Sequence, residues 1–333
     1  MVGGAPYGCN ILPNSEWTTC QFPHRNTDWP AHVRRMGRYI DRHARESLID
    51  PTSYLLGTRV VLFSSSNDSV VLQPVMRAAA TQVSHPRCSN SNPASSPPRF
   101  SPSSLALIAD LSDSPCQHSS YVANGGNLLS VWSVPCEHSW PTDDPKMDAA
   151  SYEGVPFIND CNYDLAGISL RHMLNRPLSP RVAATARHLY DVSQRVFIPS
   201  GTVIIGGTVM NTTVASQLDD TALLYLPSSC ARADSPPCAI HVHYHGCTLW
   251  YPHWSAMHLG LHDWAEANDI MVLHPRIRWI EAPVPNYGCW DWEGSTGTGF
   301  DTHDGLQLRT VINMLEALGR LGGARFAQLY HAA

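Results

Sequence analysis

The chain is short of charge. Only 15% of its 333 residues are Asp, Glu, Lys or Arg, against about 25% in an average soluble domain. The 22 basic and 28 acidic residues leave a net charge of −6, with no basic cluster. Such a surface offers nothing to nucleic-acid phosphates or an anionic membrane face, so neither is an expected partner. No apolar run approaches the roughly 20 residues that span a bilayer. No CxxC and no close cysteine pair with histidine partners occurs, which removes zinc ribbons and fingers. The first ten residues, MVGGAPYGCN, lack the charged and apolar regions of a signal peptide, so any export signal is expected outside this chain.

What is present points to a globular, loop-rich protein. Hydrophobic residues make up 43%, enough for a sizeable core, and residues 1–333 read as a single domain. Prolines number 26 and cysteines ten. Cys9 with Cys20, and Cys230 with Cys238, are disulfide candidates across short loops, and Asn67 and Asn211 open N-x-S/T sequons. An oxidising, extracellular location is the expectation. Residues 84–104, SHPRCSNSNPASSPPRFSPSS, hold almost no core formers and read as a disordered insertion.

The run CAIHVHYHGC, Cys238 to Cys247, reads as a buried strand broken by Gly246. With a period of two, His241, His243 and His245 share one strand face. They could ligate a metal, or the strand could end in a turn whose Cys247 amide faces a substrate. Three histidines at alternate positions span about 13 Å, too far for all to reach one ion.

Elsewhere, RVVLFS at 59–64 is a short apolar strand followed by Asp68, which is either an Asx turn or helix cap for a helix over Val71–Ala80, or a functional acid. LLSVWSV at 128–134 is a second buried strand followed by His138. Strands are expected in GTVIIGG, TALLYLP and Ile270–Leu273, with helices around Val33, Met36 and Ile40, within 157–174, and around Trp264 and Ala265. The last helix spans Gly305–Gly322, with Asp304 as N-cap and Leu308, Val311, Ile312, Leu315 and Leu318 as its core stripe. Helix and strand alternate, as in an α/β protein built on one sheet.

Three segments, GGAPYGC at 3–9, VHYHGC followed by DWAEANDIMVLHP, and NYGCWDWEGSTGTGFDTHDGLQL at 286–308, resemble extracellular polyhydroxybutyrate depolymerases and their single-domain esterase relatives. DDTALLYLP and FINDCNYDLAGISLRHML fit the same pattern. The resemblance implies a circularly permuted α/β-hydrolase fold with a Ser-His-Asp mechanism, acting as a monomer on a polyester or small ester without a cofactor. It casts Asp68 as the acid, His138 as the base and the Cys247 backbone N–H as an oxyanion donor. Trp290, Asp291 and Trp292 would wall the substrate crevice, and Cys247 would pair with Cys289. One departure is large: the family's G-x-S-x-G elbow occurs nowhere in the 333 residues, GISLR at Gly167 and GSTGTG at Gly294 both failing it. The nucleophilic serine, its strand and the following helix are therefore expected to be missing, the chain being N-terminally truncated and inactive as it stands. The alternatives are a non-catalytic polyester- or glycan-binding protein and a metal-dependent hydrolase using His241, His243 and His245.

Overall fold

The computed structural model describes residues 5–9, 20, 23, 27–84, 86–88, 118–120, 126–232, 237–248, 253–281 and 285–332. Residues 89–104 of the Ser/Pro tract lie outside that set.

In chain order the elements are α1 (Trp29–Arg45), β1 (Val60–Phe63), α2 (Gln73–Ser84), β2 (Pro86–Cys88), β3 (His118–Ser120), β4 (Leu128–Val131), β5 (Trp140–Thr142), β6 (Asp148–Ala149), β7 (Ile158–Asp160) and α3 (Leu165–Leu174). There follow β8 (Leu189–Ser193), β9 (Thr202–Ile205), β10 (Thr208–Asn211), α4 (Thr212–Ala215), β11 (Thr221–Tyr225), β12 (Ala239–Val242), α5 (His253–Met257), α6 (Leu261–Ala267), β13 (Ile270–His274), α7 (Leu306–Leu321) and α8 (Gly323–Tyr330). The architecture is α/β, mixed sheets flanked by helices.

The main sheet runs β12-β13-β11-β8. β12 lies parallel to β13, while β11 is antiparallel to β13 and β8. All five residues of β13 are buried, because helices cover both faces and a strand so placed reads as a continuous apolar run. Alternation sorts the two faces: Leu223, Tyr225, Ile270 and Val272 pack with Leu170, Leu261 and Trp264. Ala222, Leu224, Met271 and Leu273 pack with Met314, Leu318 and Phe326. β1 and β4 form a separate parallel pair, over which α2 lays Val75 and Met76. Among the described residues, β12 and β1 each have a hydrogen-bonded strand on one side only.

Gly167, the glycine of GISLR, is a close-approach position. A Cβ there would meet the Trp264 ring at 2.5 Å, and Trp264 Nε1 donates to Asp164, which also caps α3 through the Gly167 N–H. Helices α3 and α6 thus touch where a side chain is missing.

α1 is longer than the sequence suggested because Asp28 caps its N-terminus at the Ala31 N–H. Two expectations for α7 fail. Its N-cap is Gly305, with no side-chain cap from Asp304. The buried stripe holds Leu306, Thr310, Val311, Met314, Ala317 and Leu318, while Leu308 and Ile312 are 40% and 37% exposed. The rows at i+3 and i+4 face the sheet, and the neighbouring aliphatic residues fall on the flank.

Candidate active site

β1 and β4 run parallel and in register, Val60 opposite Leu128 through Phe63 opposite Val131, so both chains leave the sheet at the same edge. The amide of Gln73, first residue of α2, ties the exits together by donating to the carbonyls of Ser64, Ser65 and Trp132. Asp68 and His138 sit on the loops that follow. His138 Nδ1 is 3.0 Å from Asp68 Oδ2 and 3.2 Å from Oδ1. The turn expected at Asp68 is present, since Oδ1 also accepts the N–H groups of Val70 and Val71, while α2 itself begins only at Gln73. The carboxylate is 12% exposed and the imidazole 38% exposed. The acid is therefore held by a turn, and the ring opens to solvent.

With Nδ1 facing a carboxylate, the neutral ring carries its proton there, and Nε2 keeps the lone pair a base needs. Three supports escaped the sequence reading. Glu137 bridges the two loops, its Oε2 accepting the N–H groups of Ser69 and His138 and the Ser69 hydroxyl. The Cys136–Cys161 disulfide ties the histidine loop to the end of β7. Trp140, two residues beyond His138, sets its ring edge-on against His243 at 5.3 Å and donates Nε1 to the Leu259 carbonyl. Each lies within a few residues of Asp68 or His138, but no spacing rule marks it.

The turn expected to hold the oxyanion donor follows β12. The strand ends at Val242, so of the histidine row only His241 is in it and His243 and His245 belong to the loop. His245 is fully engaged: Nδ1 faces the Gly246 carbonyl at 2.8 Å and Nε2 accepts the Ile277 N–H at 3.1 Å. That fixes its tautomer and shapes the HGC turn. Burial pushes the His243 and His245 rings below the usual imidazole range. Both nitrogens of His245 are thus occupied, and among the described residues no group of three or more His, Cys, Asp or Glu is arranged to hold a metal ion.

Cys247 is bonded to Cys289, which brings Trp290 to the turn. The Trp290 ring stands edge-on to Tyr244 at 4.8 Å and lies 5.8 Å from His245. Trp292 is 36% exposed. Asp291 faces inward: Oδ1 accepts the N–H groups of Glu293, Gly294 and Ser295, and Oδ2 accepts the N–H and hydroxyl of Thr296. Its carboxylate is spent on the loop it begins. Asp291→Ala strips five donors of their acceptor and is expected to cost about 2–4 kcal/mol, read as a lowered thermal midpoint, whereas a purely substrate-facing aspartate would leave the midpoint unchanged. Residues 5–9 are tied to the rest of the fold at Tyr7: its main chain pairs with the Gln82 side chain, and the Tyr7 and Tyr39 hydroxyls both donate to Asp301.

No family model matches the chain. It is 26% identical over 278 residues to a poly(3-hydroxybutyrate) depolymerase of Delftia acidovorans, covering 82% of this chain and 45% of that protein. It is 27% identical over 217 residues to a polyhydroxybutyrate depolymerase of Talaromyces funiculosus, covering 59% of this chain and 57% of that one. The chain thus spans about half the length of the curated relatives it matches. Among solved structures it resembles the PHB depolymerase from Penicillium funiculosum, and a PHB depolymerase variant complexed with an R3HB trimer. For each the TM-score is 0.66 at 21% identity, over 95% of this chain and 85% of the other. In sequence and in fold, the chain is polyhydroxybutyrate-depolymerase-like.

Proposed function

We propose that this chain is the body of an extracellular, monomeric carboxylic ester hydrolase of serine type, acting on a polyester or a small ester. The observation that carries this is the Asp68–His138 hydrogen bond at the exit of β1 and β4, an acid and a base set as a hydroxyl nucleophile requires. His138 Nε2 is the base, and Asp68 holds the tautomer and stabilises the imidazolium. The Cys247 N–H is the oxyanion donor, a role worth roughly 3–4 kcal/mol in the transition state. Trp290 and Trp292 flank the crevice, with Asp291 shaping their loop. The relatives named for polyhydroxybutyrate, and the solved relative holding an R3HB trimer, support a hydroxyacid polyester as substrate. Four disulfides among the described residues support an oxidising compartment.

The order acid, base, oxyanion turn along the chain is that of a circularly permuted hydrolase. In such a sheet the nucleophile strand stands between the oxyanion strand and the acid strand, and among the described residues β12 and β1 each have a strand on one side only, which is compatible with that order. The 333 residues contain no G-x-S-x-G. The chain alone is therefore expected to give no turnover of a short-chain p-nitrophenyl ester, and a longer form of the protein with that elbow is expected to give it. The absent elbow also favours a second reading, a polyester- or glycan-binding protein without chemistry. Hydrolysis by the longer form excludes that reading, and none by either form, with retained binding to polyester film, selects it.

A further inference from the structure

We propose that Asn211 carries an N-linked glycan, and that this glycan covers an exposed aliphatic pair on the β9–β10 hairpin. The inference rests on the extracellular reading above and does not need the ester chemistry.

The hairpin is built by its sequence. Gly206 and Gly207 both have positive φ, 56° and 81°, as the two-residue turn that suits twisted strands demands. The pairing that follows sets Thr202 opposite Asn211 and Ile204 opposite Val209. Side chains alternate along a strand, so Thr202, Ile204, Val209 and Asn211 share one face, and Val203 and Met210 share the other. The first face is in solvent: Ile204 is 70% exposed and Val209 66% exposed. Val214, in the helical turn after Asn211, is 61% exposed. The cross-strand pair forms a small apolar patch in water, which a neighbouring hydrophilic group would shield.

Asn211 supplies one, being exposed, on the same face, and the first residue of Asn211-Thr212-Thr213. Its Oδ1 caps α4 by accepting the Thr213 N–H at 2.8 Å. The modification uses the other atom. Nδ2 displaces a lipid diphosphate from C1 of a lipid-diphosphate-linked oligosaccharide, forming the N–C bond, breaking the C1–O bond and losing one proton to the transferase. Oδ1 remains free to cap, so the glycan and the native turn are compatible, and the sugar leaves the strand where Ile204 and Val209 lie.

The test is secretion of the full chain from a eukaryotic host, release of glycans by peptide N-glycosidase in oxygen-18 water, and peptide mass spectrometry. Labelled conversion at Asn211 is expected. An unmodified Asn211, or modification at Asn67 alone, overturns the proposal. Enzymatic deglycosylation of the folded protein is then expected to raise binding of an apolar fluorescent dye several-fold. The Ile204→Thr/Val209→Thr variant should abolish that rise, and the Asn211→Asp variant, which keeps the cap, should show high dye binding from the start. Dye binding that ignores deglycosylation, or rises equally in the double variant, sinks the covering role. Thiol titration of the same material reads the extracellular assignment separately: unmodified Asn211 beside fully oxidised cysteines defeats the glycan alone.

Discussion

Replacing His138 with alanine, in a form of the protein that hydrolyses short-chain esters, is expected to lower kcat by roughly four to six orders of magnitude, and Asp68→Asn by about four. The first change removes the imidazole proposed above to take a hydroxyl proton. The second is subtler. The new amide keeps an oxygen for the Val70 and Val71 N–H groups, so the turn survives. Its NH2, however, replaces an acceptor with a donor opposite His138 Nδ1. The ring must then turn its lone pair to Nδ1 and its proton to Nε2, and a ring protonated at Nε2 cannot act as base. KM should hardly move, since neither side chain lies among the crevice residues, and circular-dichroism melting should match the parent. Unchanged turnover in either variant would remove the acid–base assignment. A matching collapse of the melting curve would instead make the pair structural.

Acid should unfold this protein well before its carboxylates titrate. His243, His262 and His274 are 7%, 0% and 5% exposed, and His262 Nε2 lies 2.8 Å from His274 Nε2, which requires one ring to donate and the other to accept. Burial, with the neighbouring histidines, holds His243 and His274 well below the usual imidazole range, and His262 at about 3. His241 is pushed down to about 4, also by burial, but it keeps some exposed surface and its share is discounted for screening.

Each of these groups binds its proton more readily in the unfolded chain than in the folded one. Stability is therefore complete above about pH 6.5 and is lost as pH falls toward the folded values, by up to about 1.4 kcal/mol per unit for each histidine. At pH 5 that is about 2 kcal/mol for His262, and His243 and His274 act in the same direction, a large share of the stability of an ordinary domain. The charged groups facing the cluster do not reverse the sign. Arg276 lowers His245 further while Asp219 opposes it. Burial raises the Glu266 carboxyl, but hydrogen bonds from Ser228, Tyr225 and His188 outweigh it and bring it to about 2, so its own contribution is lost only as pH falls from the usual carboxylate value toward 2, below the histidine window. Urea midpoints measured from pH 8 to 5 should fall steeply below 6.5. A level midpoint down to pH 5.5 would contradict the neutral cluster.

The parts legible in sequence were those with a local signature. The apolar runs of β1, β4, β11 and β13 and the two short-loop disulfides at Cys9 and Cys230 need no distant partner to be read. Asp68 and His138 were found by place, each just beyond a strand. What sequence could not show was how a side chain divides its bonds. Asp291 sits between two tryptophans in sequence but turns its carboxylate into its own loop. The histidine row looks continuous, yet the strand beneath it stops at Val242, because Gly246 and the Ile277 N–H claim His245. The flank of α7 was misjudged because leucine at helical spacing does not say which of two adjacent rows meets the sheet.

The Cys136–Cys161 bond bears on biogenesis. A chain is made from its N-terminus, and these cysteines, 25 residues apart, are both in place before Cys238 or Cys247 has been synthesised. Cys289 follows Cys247 by a further 42 residues. If the chain matures in an oxidising lumen as proposed, the loop carrying His138 can be covalently closed before the turn at Cys247 has emerged. Each half then acquires its own crosslink without waiting for, or mispairing with, the cysteines of the other.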